Sequence, residues 1–141
     1  MQMKKIWCSI LLIFLATGLC AANVPDLLGK WTGHWSGYDE GKGYTNITES
    51  GTANFYFMGQ MGRIFNGTLA IDLKNGTKIN EDFAGAIGLD NKTLDIVEFN
   101  KGYALGTIIS NNEMEIDFLS DGENGSISVD KLQRVGTMIH A

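Results

Sequence analysis

The chain has few of the residues that carry covalent or metal chemistry. Among 141 residues there are 2 cysteines and 2 histidines. Both cysteines, Cys8 and Cys20, lie near the N-terminus, and His140 is next to the last residue. The rest of the chain therefore has no disulfide, no cysteine nucleophile and no Cys/His cluster of the kind that holds zinc. A histidine-based triad would have His34 alone to build on. Proline is almost missing: Pro25 precedes every regular segment, so no proline interrupts a strand downstream of it. Positive charge is also scarce, with 11 Lys and Arg against 16 Asp and Glu and a formal net charge of −5. An acidic surface repels phosphate backbones, which argues against nucleic acid as a partner. Helical patterning is missing too. No stretch after residue 28 keeps a 3.6-residue apolar period long enough for a helix.

One long apolar run stands at the front. Lys4 and Lys5 precede "IWCSILLIFLATGL" (6–19), and small residues follow at Cys20, Ala21 and Ala22. Basic, apolar, then small is the order of a secretory signal peptide, here with cleavage after Ala22. The run is shorter than the roughly 20 residues that span a bilayer, so a retained anchor is the lesser reading. Leu19 is a poor neighbour for lipid attachment at Cys20. Residues 1–22 are thus expected to be a signal peptide and 23–141 a single domain, secreted or exposed outside the cell envelope, with no stable membrane span after cleavage. Loss of Lys4 and Lys5 makes that domain more acidic still. Asn46, Asn66, Asn75, Asn91 and Asn124 each open an Asn-x-Ser/Thr sequon. They read either as glycosylation acceptors or as turn residues, and both readings place them on turns or the outer surface.

What is abundant is short alternation. Phe65, Gly67, Leu69, Ile71 and Leu73 alternate with Ile64, Asn66, Thr68, Ala70 and Asp72, and Met114, Ile116 and Phe118 alternate with acidic residues. These are strands with one face buried and one wet. Turn dipeptides divide the chain into eight strands near 29–38, 49–58, 62–73, 79–88, 93–99, 102–110, 113–119 and 125–135. A faint repeat runs through them. "FNGTL" (65–69), "FAGAI" (83–87) and "YALGTI" (103–108) each set an aromatic before a glycine and then an aliphatic. Gly33, Gly51, Gly67, Gly85, Gly106 and Gly125 recur about once per hairpin. Glycine at that interval suits a sheet bent until it closes. The fold class expected is all-β, a single antiparallel up-and-down β-barrel of about eight strands, with a two-sheet sandwich as the alternative.

The stretch "LGKWTGHWSGY" (28–38) carries Trp31 and Trp35 on one face of the first strand. A tryptophan there can close one end of a barrel, with a cation from the last strand stacked on its ring. Arg134, in "DKLQRV", is that cation. Gly29-Lys30-Trp31 on the first strand with Arg134 on the last resembles the signature of the calycin superfamily: lipocalins, fatty-acid-binding proteins, avidins and some secreted protease inhibitors. The resemblance implies a barrel that often holds a small apolar molecule, with Gly29, Trp31 and Arg134 as its structural signature. The disulfides of many lipocalins and the biotin-binding aromatics of avidins are not present. The longer pattern "GYDEGKGY…GRIFNGTL…FAGAIG…GYALGTIIS…EIDFL" is also similar to exported archaeal proteins, a resemblance that brings no activity with it.

No catalytic constellation emerges, and no enzyme activity is expected. Asp39-Glu40 and Asp121 to Asn124 lack the spacing of a calcium loop. Glu81 with Asp82, and Asp95 with Glu98, could form a carboxylate pair, but surface charge is the commoner meaning of such residues. The candidate ligand contacts are Trp35, Phe57, Phe65, Phe83, Tyr103 and Phe118, with Phe55 beside them. The same aromatics could instead fill a solid core. Trp35 is the better ligand contact and Trp31 the better plug, because they lie about 13 Å apart along one strand. The sequence calls for no cofactor and sets no oligomeric state. Three functions fit it: a non-catalytic binder of a small, largely apolar ligand, a protein-binding module such as a protease inhibitor that uses residues 23–28, or an envelope component without ligand.

Overall fold

A computed structural model of the chain describes residues 23–100 and 102–136. The expected signal segment 1–22 and His140 lie outside the described residues, among which there is no helix. The nine strands are β1 (Gly29–Asp39), β2 (Gly43–Thr45), β3 (Thr52–Met61), β4 (Ile64–Asp72), β5 (Lys78–Ile87), β6 (Thr93–Glu98), β7 (Tyr103–Ser110), β8 (Glu113–Ser120) and β9 (Ser126–Gly136). All neighbours are antiparallel, in the order β2-β1-β3-β4-β5-β6-β7-β8-β9, and β1 also pairs with β9. That last pairing closes an eight-stranded meander into a barrel and leaves β2 as an outer strand. The expected all-β barrel is the fold found.

Three boundaries differ from those read in the sequence. The strand placed at 49–58 begins at Thr52, because Asn46 folds residues 46–50 into a turn. Its Oδ1 accepts from the N–H groups of Thr48 and Glu49, and its carbonyl accepts from those of Glu49 and Ser50. The turn placed at 59–62 shrinks to Gly62-Arg63, with Gly62 at φ 58°. Gly59 to Met61 stay in the ladder beyond a bulge. The short β2 is new, formed where Tyr38 and Tyr44 face each other with ring centroids 4.9 Å apart.

The glycine repeat has a steric reason. In the β4–β5 register Phe65 lies opposite Gly85, and Gly67 opposite Phe83. Each ring lies over the other strand's glycine. A Cβ added at Gly85 would stand 2.5 Å from Phe65 Cζ, and one at Gly67 would stand 2.6 Å from Phe83 Cζ and 2.0 Å from the Tyr56 carbonyl oxygen. Phe57 joins the two rings at centroid distances of 5.4 and 5.3 Å and touches Trp31 edge-on at 6.4 Å. The lower barrel is therefore solid, with Trp31, Phe57, Phe65, Phe83, Ile87 and Leu132 all at most 1% exposed. Close-packed interiors tolerate added methyl groups poorly.

Gly67→Ala should destabilise the domain by about 1–3 kcal/mol, since the new methyl overpacks both a ring and a ladder carbonyl. Gly136→Ala, with nothing near its Cβ position, should leave the urea midpoint unchanged. Equal midpoints for the two variants would contradict this packing.

Candidate functional site

The two ends of the barrel differ because β1 changes partners. From Gly29 to Gly33 it pairs with β3, and from Gly37 to Asp39 with β2, while β9 follows it along the other edge. Between those two pairings the β3 side has no regular ladder. There the Trp35 N–H donates to Ser50 Oγ at 3.2 Å, and His34 Nδ1 meets the Gly51 carbonyl at 2.6 Å. His34 itself faces outward and is exposed.

At the start of β1 the end is closed. Residues 23–28 fold across it, with Leu27 buried at 1% exposure. Gln60 holds this segment: its Oε1 accepts from the Leu27 N–H at 2.9 Å, and its Nε2 donates to the Pro25 carbonyl at 2.8 Å. The Trp31 indole N–H donates to the Leu27 carbonyl at 2.9 Å. The Arg134 guanidinium lies 4.5 Å from the Trp31 ring centroid and donates to the carbonyls of Leu28 (3.1 Å) and Asp26. Gly29, Trp31 and Arg134 thus meet at one end, where hydrogen bonds tie down Pro25 to Leu28.

At the other end the barrel opens into a cavity of about 530 Å³. Trp35, Phe55, Leu69, Ile71 and Phe118 supply apolar wall, and Glu81, Glu98 and Asp130 supply carboxyls. Thus Trp35 and Phe118 reach the cavity, while Phe57, Phe65 and Phe83 belong to the packing beneath it. Tyr103 is elsewhere. It is 48% exposed on the outside, because it stands three residues before Gly106 whereas Phe65 and Phe83 stand two before their glycines. In a strand an odd spacing changes the face. Phe55, in phase with Phe57, is a wall residue.

The carboxyls correct the surface reading of Glu81 and Glu98. Asp82 and Asp95 are exposed, but Glu98 is 7% exposed, in phase with Leu94 and Ile96. Asp130 is 6% exposed, in phase with Leu132, and pairs across the β1–β9 ladder with Trp35. No sequence feature was read as placing Asp130 inside; its alternation with Leu132 and Arg134 was the available signal. The Ser128 hydroxyl donates to Asp130 Oδ2 at 3.1 Å. Burial raises the Asp130 carboxyl from an ordinary 3.8 to about 7, against the lowering effect of the Ser128 hydroxyl and with a further rise from Asp117. Burial also raises Glu98 from 4.5 to about 8, helped by a hydrogen bond with Glu81 and by the charges of Glu81 and Asp130. Glu81 Oε2 is buried without a hydrogen-bond partner. Among the described residues no group of three or more His, Cys, Asp and Glu could hold a metal ion. No helix among them is long and apolar enough to cross a membrane.

No protein-family model matches the chain, and no curated protein matches it. Solved structures do. A redesigned β-barrel superposes with a TM-score of 0.57 and 16% identity, over 82% of this chain and 95% of that one. Lobster apocrustacyanin A1 gives a TM-score of 0.48 and 13% identity, over 79% of this chain and 62% of that chain. At such identities the likeness is one of fold, and the redesigned barrel carries it. Nothing in these comparisons supports the resemblance to exported archaeal proteins.

Two outcomes are expected. Arg134→Ala removes the cation–π contact and leaves carbonyls unpaired, a loss of about 2–4 kcal/mol, whereas Lys131→Ala, exposed on the outside, changes little. Urea midpoints of the two variants decide it. Second, Glu98 and Asp130 bind protons more tightly folded than unfolded, so stability falls as pH rises from about 4 to about 8 and levels off above that. Asp130→Asn should flatten that slope. A midpoint that rises over the same range would contradict the buried carboxyls.

Proposed function

We propose that the protein is an exported, non-catalytic binding protein of calycin type that holds a small, largely apolar ligand in the open end of its barrel. The observation that carries this reading is the cavity: about 530 Å³, walled by Trp35, Phe55, Leu69, Ile71 and Phe118, above a solid base. That size and lining are typical of small-molecule sites. The contact of Arg134 with Trp31 supports the calycin assignment, and the basic, apolar and small order of residues 1–22 supports export. The outward-facing His34 supports the absence of catalysis.

One observation favours a protein-binding role as a second reading. Val97, Tyr103, Leu119, Ile127, Tyr38 and Tyr44 are successive cross-strand partners from β6 round to β2. All but Leu119 are at least 42% exposed. Such an apolar row on an outer face suits contact with another protein.

A neutral apolar dye such as N-phenyl-1-naphthylamine should bind saturably with a rise in fluorescence. Trp35→Ala should weaken it by about tenfold, the loss of one aromatic wall, with the urea midpoint retained. Absence of saturable binding to the wild type would overturn the small-ligand reading in favour of the second one.

A further inference from the structure

The cavity is not evenly apolar. Asp130, on its wall, is more than nine-tenths buried, and the Ser128 hydroxyl donates to its Oδ2. Glu81 Oε2 is buried with no hydrogen-bond partner at all. Glu98 lies close enough to feel the charges of Glu81 and Asp130. Among the described residues no ion pair joins a basic side chain to them. The ion pair among the described residues, Lys78 with Asp72, is on the outside. Lys74 at the rim donates to the Thr48 carbonyl, and Lys42 sits in the turn after β1. A buried carboxyl without a cation is costly unless it is neutral or something else supplies the cation.

The aromatic groups point the same way. Trp35 is the direct cross-strand partner of Asp130, and the pair lines one cavity with Phe55 and Phe118. A carboxylate beside an indole face is an arrangement that attracts an organic ammonium ion, through the charge on one side and the ring quadrupole on the other.

We infer that the cavity takes an amphipathic organic amine, its ammonium held by Asp130 and Glu98 beside Trp35 and its apolar body against Phe55, Leu69 and Phe118. This rests on the small-ligand reading above and narrows it to a charge class. Burial keeps a proton on Glu98 and on part of the Asp130 population near neutral pH, and the arriving cation displaces those protons, so binding releases protons to buffer. The charged groups around the pair are Glu81 on β5, Asp39, Glu49, Lys42 and Lys74 toward the rim, and Asp117 on β8, which is out of phase with the inward Ile116 and Phe118 but whose charge reaches Asp130. Acids outnumber bases there, so the field inside favours a cation.

The test holds shape constant and varies charge. 2-(1-Naphthyl)ethylamine, its N-acetyl derivative and 3-(1-naphthyl)propionate are titrated into the protein by calorimetry at pH 7, in two buffers of different ionisation enthalpy. The amine should bind at least about tenfold tighter than the amide, a difference on the scale of one charge-assisted contact, with the carboxylate weakest. Its heat should depend on the buffer, and the amide's should not. Asp130→Asn and Glu98→Gln should each lose the preference for amine while still binding the amide, which also shows that they fold. Amide binding as tight as amine, or a preference that survives both substitutions, overturns the amine assignment and leaves the small-ligand reading standing. Failure of all three compounds to bind overturns both.

Discussion

A barrel of eight strands has to be closed by one pair that is distant in sequence, and here that pair is β1 with β9. The register runs from Lys30↔Gly136 to Asp39↔Ser126, broken by one irregularity at Lys30/Trp31. With that edge of β1 fully used, its other edge is divided between β3 and β2. The consequence is polarity along the barrel axis. Where β1 is paired on both edges, Trp31 can be buried completely, and residues 23–28 are tied over it by Gln60 and Arg134. Where the second ladder lapses, Ser50 and Gly51 substitute single hydrogen bonds for it. The mouth opens beside that lapse, lined by Ser50, Gly51 and Trp35 among others. One closure therefore sets both the plug and the opening.

Much of this was legible because period-two alternation is a local signal. The strands from β4 onward sit within one or two residues of where alternation and turn dipeptides placed them, and the Trp31–Arg134 meeting follows from first and last strands being adjacent in a closed meander. The second strand was misplaced because its start is set by the Asn46 turn, whose capping competes with strand formation over residues that have no strong pattern of their own. Strand β2 escaped because three residues carry no period; it exists through its contact with Tyr38. The site was half legible. Trp35 and Phe118 point where alternation sends them. Tyr103 was misread because the apparent repeat "YALG" differs from "FNG" and "FAG" by one residue, and one residue reverses a strand. The base aromatics could not be told from wall aromatics, since burial depth along the axis depends on stagger between strands, which no single strand encodes.

The acids escaped for a different reason. Charged residues are presumed to be outside, and that presumption overrides phase. Phase was the better guide: Glu98 continues Leu94 and Ile96, and Asp130 precedes Leu132, on the inward face of strands whose outward positions are Asp95, Val97 and Lys131. The exposed apolar residue and the buried acid change places at Val97-Glu98. Each is the residue that a rule based on polarity alone would assign to the other face.

Nothing in the architecture calls for carboxyls at those positions. Closure is supplied by the β1–β9 ladder and the Trp31–Arg134 contact, and the core is complete from Leu27 up to Ile96 and Phe83 without them. An aliphatic side chain at 98 or 130 would extend that core, and replacing buried ionisable groups by well-packed apolar ones is often neutral or stabilising. A chain whose turns, alternation and glycine placement all agree with one fold departs from agreement at the one end where the barrel is open. Such local departures concentrate at sites that serve something other than stability. The inward acids lie together, beside the indole that the base does not use, in the part of the barrel that packing leaves empty. Stability explains the solid half of the interior but not the hollow, acidic half, and it is that remainder which the proposed binding of a cation-bearing molecule addresses.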